Sequence, residues 1–308
     1  MKSIRLLTLS SLLALALSSG PAAAAIFRAY LSVNGNDANP CTLPQPCRLL
    51  PAALAAANDG GEIWMLDSAN FNAATVAINK SITILAVPGA LGSIVANNGD
   101  ALAIAAPGAK VTLRNLVVLN LAGTTNNGVL FTQGAALTVE GCELYGLSNG
   151  VNVSAAAATV TIKDSTIRDN TAVGVNLTGA VKASLRNASV LNNGTTGVAA
   201  ANGASATISS STVVGSTTGI AATAAGSTST QVALAGSSVS GNTTGVQVTA
   251  AAGTDAAQVM LNAVTFSQNT TGVNITGATA SVSTRQNNTF KFNTADIGTG
   301  TLTPLSGL

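Results

Sequence analysis

The 308-residue chain contains no histidine, and only 8% of its residues are charged and 3% aromatic. Without histidine there is no side chain that titrates near neutral pH in its ordinary state. Nor is there an imidazole to activate a serine or cysteine, or to ligate zinc or iron. The 13 basic and 11 acidic residues form no lysine- or arginine-rich tail and no basic patch interleaved with aromatics, so nucleic-acid binding has no electrostatic support. No long apolar run follows the first segment of the chain, which excludes a later membrane-spanning helix.

That first segment reads as an export signal over residues 1–25. Lys2 and Arg5 supply the positive region, Ile4 through Leu17 the apolar one, and Ala23-Ala24-Ala25 a small-residue cleavage site before Ile26. Export places the protein in the periplasm, at the cell surface or outside the cell. Cleavage leaves equal numbers of acidic and basic residues and no transmembrane segment. In an oxidising compartment Cys41 and Cys47 are close enough in sequence to form a local disulfide that pins an N-terminal loop. Two cysteines without histidine make a poor zinc site, and no metal site is expected. Cys142, inside a repeat, reads as a small reduced side chain.

What the chain does have is a repeat. Gly-Val or Gly-Ile recurs at Gly128, Gly150, Gly174, Gly197, Gly219, Gly245 and Gly272, at spacings between 22 and 27 residues. That period is too short for a helix pair and matches one turn of a β-solenoid. Each unit also holds two shorter alternations, such as Val160-Thr161-Ile162 followed by Ile167, or Val181, Ala183 and Leu185 followed by Val190. Short period-two pieces separated by Gly, Ser, Asn and Thr are strands joined by turns. The fold class is therefore all-β: a single-stranded right-handed parallel β-helix with three short strands per coil. A polar ladder, Asn170, Asn193, Ser216, Asn242 and Asn269, stands three or four residues before the next glycine. Asn tolerates left-handed backbone and bonds locally, so this column is expected to shape one corner and to link rungs.

The remaining segments prepare or close that run. Residues 26–61 comprise an edge strand, the disulfide loop and a short helix over Leu49–Asn58, with Pro51 in its first turn and Gly60-Gly61 ending it. Such a helix covers the open first coil. The β-helix occupies 62–292. Residues 293–308 form a C-terminal tail or cap, in which Phe290, Phe292 and one or two of Ile297, Leu302, Leu305 and Leu308 are expected to fold over the last coil.

Stacking the coils makes distant residues neighbours. With Leu113, Val139, Ile162, Leu185 and Ile208 pointing inward, Arg114, Glu140, Lys163, Arg186 and Ser209 share one outward column, and Glu143, Tyr145, Asp164, Arg168 and Asp169 lie nearby. This is the candidate binding patch, with Tyr145 as its stacking platform. A solvated ion-pair network satisfies the same pattern. A second outward column, Leu119, Tyr145, Leu191 and Val214, forms a shallow apolar strip together with the aliphatic part of Arg168. Thr195-Thr196, Thr217-Thr218, Thr243-Thr244 and Thr270-Thr271 stack as a hydroxyl array that either serves the strand openings or meets an ordered surface.

The repeats, together with Pro51 to Asn58 followed by Gly60-Gly61-Glu62-Ile63-Trp64, resemble the pectin-lyase-like right-handed parallel β-helix superfamily, and within it small secreted bacterial β-helix repeat proteins of unassigned function. The resemblance implies the fold over nearly all of the mature chain. It implies calcium-binding aspartates and an arginine base in lyase-like members, for which Asp164, Asp169 and Arg168 are the nearest candidates, without a residue-by-residue motif. The expected function is an exported scaffold or surface-associated protein, a monomer or weak self-associator, that contacts extracellular or cell-surface polysaccharide without a catalytic constellation or cofactor. The alternative is a polysaccharide lyase or epimerase acting on an acidic glycan through Glu140, Lys163, Asp164, Arg168 and Arg186, with calcium entering only in that case.

Overall fold

A computed structural model describes residues 25–122 and 126–305. The export signal expected over residues 1–25 falls almost wholly outside the described residues, as does Leu308. Three parallel sheets of 12, 10 and 10 strands wrap around one core as a right-handed β-helix. One complete coil runs Ala136–Glu140, Glu143–Tyr145 and Asn149–Val153; the next runs Thr159–Lys163, Thr166–Arg168 and Val173–Thr178. We call the three sheets first, second and third in that order. No described helix is long and apolar enough to cross a membrane.

The inward columns follow from the alternation. Leu113, Val139, Ile162, Leu185, Ile208, Leu234 and Leu261 are in register along the first sheet, and all are buried. Val118, Leu144, Ile167, Val190, Val213, Val239 and Phe266 form the matching column of the second sheet. Each such burial is worth about 1.5–3 kcal/mol, and the stacking makes every rung's core continuous with its neighbours'.

The recurrent glycine has a steric reason. A Cβ on Gly174 would stand 2.6 Å from the carbonyl oxygen of Gly197, and one on Gly197 would stand 2.6 Å from that of Gly219. Both glycines have ordinary negative-φ backbone, so it is close approach between rungs that excludes a side chain. Left-handed backbone is found at the corners. After the first sheet it occurs at Asn115, Gly141, Asp164, Asn187 and Ser210; after the second, at Gly146, Asp169, Asn192, Gly215 and Gln268.

The asparagine ladder is present, with one change to its expected role. Its members are not left-handed; the residue before each is, and the ladder acts through its side chains. Asn170 Nδ2 donates to Asn193 Oδ1 at 2.8 Å, and Asn242 Nδ2 donates to Asn269 Oδ1 at 3.1 Å. Asn293 extends the ladder by accepting from Asn269 Nδ2 at 3.0 Å. Ser216 interrupts it, and its buried hydroxyl has no partner. A second ladder, which the sequence reading missed, lines the other corner. There Ser165, Ser211 and Ser237 accept from the backbone N–H of Cys142, Ala188 and Ser211 at 3.1–3.2 Å.

The first coil is closed by β1 (Ile26–Leu31), α1 (Leu50–Ala56) and β2 (Ala57–Met65). Helix α1 buries Leu50, Ala53 and Leu54, and Lys80 Nζ caps its end by donating to the carbonyls of Leu54 and Ala57, each at 2.9 Å. The Cys41–Cys47 disulfide closes a loop that pairs with the outer edge of β1: Tyr30 N donates to Cys41 O and Cys47 N to Tyr30 O.

At the other end the chain does not fold over the last coil. Ala295–Ile297 and Leu302–Pro304 instead pair with the third and first sheets and build one more rung. Phe290 stacks on Phe266 at 4.8 Å, and Ile297 and Leu302 pack against the core. Phe292, expected to join them, takes a left-handed corner and is 79% exposed. Pairing to the preceding strands satisfies backbone groups that a folded-over tail would leave open.

The break at Ser216 generates a prediction. Ser216→Asn fills the missing position of the ladder and raises stability by about 1 kcal/mol, whereas Asn193→Ala removes a fully buried member and lowers it by about 1–3 kcal/mol. Urea unfolding followed by circular dichroism measures both, and equal effects of the two substitutions would refute the ladder's role.

Candidate functional site

The outer face of the first sheet carries the charged column as expected. Arg114, Glu140, Lys163, Arg186 and Ser209 are Cα partners on successive strands. Glu140 is clamped from both sides, by Arg114 Nη2 at 2.9 Å and Lys163 Nζ at 2.8 Å. The Lys163 hydrogen bond, helped by Arg114, holds the Glu140 carboxyl below the usual carboxylate range. Arg186 is exposed and has no ion-pair partner among the described residues. Lys182 stands outward on the same strand.

The structure puts four of the nine candidate residues on the first sheet, three on the second and two, Asp164 and Asp169, at corners. Glu143, Tyr145 and Arg168 are on the second sheet, around the corner from Lys163. Arg168 bonds Glu143 Oε1 at 2.7 Å and Asp169 Oδ2 at 2.5 Å, and its guanidinium lies 4.3 Å from the Tyr145 ring centroid. Asp169 first and Glu143 second raise the Arg168 pKa, so this guanidinium keeps its proton. A five-residue separation in sequence conceals that corner. The column of Leu119, Tyr145, Arg168, Leu191 and Val214 is outward and half-buried, as its alternation required.

Asp164 and Asp169 occupy the two left-handed corners, where other rungs place Asn, Gly, Ser, Ala or Gln. Each carboxylate accepts from the asparagine one rung on: Asp164 from Asn187 at 2.7 Å and Asp169 from Asn192 at 3.4 Å. Among the described residues no group of three or more His, Cys, Asp or Glu side chains is placed to hold a metal ion. Cys142 is buried, and burial pushes its thiol up to about 11.

Two features of the first sheet's outer face escaped the sequence reading. Trp64 and Leu85 are the register partners that precede Arg114, and Tyr30 precedes Trp64. An aromatic pair therefore heads the charged column. The intervals between these early rungs are unequal, which hides the alignment in the sequence. From the Ser209 strand onward, beside the charged column, an open groove of about 520 Å³ crosses the sheet, lined by Ser205, Thr207, Gln231, Gln258, Met260 and Ser283. The threonines also align: Thr196, Thr218, Thr244 and Thr271 are successive partners on the third sheet, while Thr195 and Thr217 donate to backbone carbonyls of the preceding rung. For those two hydroxyls the structural reading is sufficient.

Residues 94–258 match the family described as "Right handed beta helix region". Among solved structures the chain is similar to pectate lyase Pel9A, with a TM-score of 0.62 and 14% identity over 91% of this chain and 80% of that one. It is equally similar to an alginate lyase from Paenibacillus sp. str. FPU-7, with a TM-score of 0.62 and 14% identity over 90% of this chain and all of that one. The enzymatically active domain of bacteriophage CBA120 tailspike protein 2 gives a TM-score of 0.52 at 14% identity, over 83% of this chain and 43% of that one. These likenesses establish the shared fold. No curated protein matches the chain significantly.

Two predictions follow from the clamped carboxylate and the buried thiol. Because the folded pKa of Glu140 is depressed, its contribution to stability is complete above the ordinary carboxylate range and is lost as pH falls through the lowered value. Glu140→Gln should cost less than about 1 kcal/mol at neutral pH, since the pair is solvent-screened, and should reduce the acid dependence of unfolding free energy. Native protein at pH 8 should resist iodoacetamide at Cys142 and react once unfolded; alkylation of the folded protein at the rate of a free thiol would contradict the burial described.

Proposed function

The chain belongs to the right-handed β-helix family, and from that membership we propose that it is an exported scaffold whose first-sheet face binds polysaccharide without catalysing its cleavage. The observation that carries the reading is a track of outward side chains on that face, broken by Leu85 and leading to a groove on the adjoining columns. It passes from aromatic side chains through Arg114, Glu140, Lys163 and Arg186 to a groove floored by hydroxyls and amides. Cations outnumber the single carboxylate in the column, and Lys182 adds to the excess, so a glycan bearing carboxylates is favoured over a neutral one.

The protein's own groups supply little to a lyase or epimerase reaction. Such chemistry needs a base for the proton beside the sugar carboxylate and a group to neutralise that carboxylate. Glu140 already serves two cations, Arg168 is held protonated on another sheet, and Asp164 and Asp169 shape corners. The solved structures that share the fold include a pectate lyase and an alginate lyase, which makes acidic polysaccharides the first ligands to try.

A glycan array with the wild type, Lys163→Ala/Arg186→Ala and Arg168→Ala tests the reading. Binding should fall at least tenfold in the double variant and stay unchanged in Arg168→Ala, which alters the second sheet only. Incubation with uronate polymers, with and without calcium, should release no unsaturated sugar. Release that depends on Lys163 or Arg186 would establish the lyase alternative.

A further inference from the structure

We propose that Tyr30 and Trp64 form the terminal stacking platform of this track, so that a linear oligosaccharide lies along the solenoid axis with one end on the indole and the other at Arg186. The proposal rests on the binding reading above and adds to it the position, direction and length of the ligand.

The ring of Trp64 is held in place without being consumed by the core. Its Nε1–H donates to Glu62 Oε2 at 3.0 Å, and the Arg28 guanidinium, itself bonded to Glu62 at 2.8 Å, stands 4.0 Å from the ring centroid. Tyr30 meets it edge-on, with ring centroids 6.3 Å apart and planes at 68°. Both aromatic side chains are outward and half-buried. They are the sole tryptophan and one of two tyrosines in the chain, set on a face whose other outward positions are mostly hydroxyl, amide, alanine or charged. Arg28 covers one face of the indole, so the C–H face of a sugar ring would stack on the opposite face, at little entropic cost because the ring is already fixed.

The spacing supplies the second argument. Trp64, Leu85, Arg114, Glu140, Lys163 and Arg186 occupy consecutive rungs of one column. Parallel neighbours are about 4.8 Å apart, so the platform and the last cation are separated by roughly 24 Å. One rung is comparable with one pyranose unit of an extended chain. Five or six units therefore span the track, with hydroxyls and carboxylates reaching the cations while the terminal ring stacks.

Trp64 is the only tryptophan, so emission excited selectively at the red edge of its absorption, where the two tyrosines do not absorb, reports on this position alone. Titration with oligouronides of two to eight units should change that emission saturably, and neutral β-linked oligosaccharides of the same lengths should do so only at higher concentration. Affinity should climb with length to five or six units and then level off. By calorimetry Trp64→Ala should bind a hexamer about tenfold more weakly, the order expected for a lost aromatic contact, and Trp64→Phe should recover part of it. Matching thermal midpoints for the variants separate this loss from misfolding. If calorimetry shows Lys163-dependent binding while Trp64 emission is unmoved and Trp64→Ala binds normally, the platform is overturned and the binding reading survives. If no oligosaccharide binds the wild type, both fall.

Discussion

The structure depends on how closely successive rungs approach at the glycine column. The carbonyl of each glycine occupies the space where the preceding glycine would carry a Cβ, as at Gly174 against Gly197. A side chain there would push two rungs apart, so this column sets where each coil sits over the last. Once the third sheet is in register, the first and second have no freedom to slip. A shift of one residue would exchange Ile162 for Lys163 in the core. The outward charged column is thus the reverse side of the packing that buries Leu113, Val139, Ile162 and Leu185.

Corners carry the second constraint. A strand can turn into the next sheet within a few residues only through left-handed backbone, which Gly, Asn and Asp adopt at the least cost. Asp164 and Asp169 meet that need, and each then finds an asparagine on the next rung. Buried Asn and Ser side chains inside the same corners satisfy backbone N–H groups that no strand pairing reaches. The two carboxylates nearest to a metal-assisted site thus also serve the turns, while Arg168 stands on the strand between them.

Much of this was legible in the chain. The recurring inward positions of the repeats were enough to align Arg114, Glu140, Lys163, Arg186 and Ser209 and to place Asn170 through Asn269 in one corner, and Pro51 with the alanine run after it put a helix before the first coil. The Cys41–Cys47 pair was legible from its short separation together with the export signal. Legibility failed where spacing or composition carried no contrast. Trp64 could not be assigned to the charged column because Leu85 and Arg114 follow it at unequal intervals. Ser165, Ser211 and Ser237 are lost in a chain rich in serine, although their buried hydroxyls hold a corner. Residues 295–304 lack apolar alternation, and only the open edges of the preceding strands show why they pair as a rung. The merging of Lys163 with Arg168 into one patch failed for a geometric reason, since a single left-handed residue turns the chain onto another face.

The first edge of the solenoid is sealed by helix α1 and the disulfide loop, while the last rung, Thr289–Lys291, Ala295–Ile297 and Leu302–Pro304, is one more coil of the same kind. Nothing in the core therefore counts the coils. Because each touches only its immediate neighbours, a gene segment encoding one whole coil can be duplicated or lost while the flanking interfaces stay as they were. The reach of the outer face is in that sense a heritable copy number, adjustable in steps of a single coil without redesign of any interior contact.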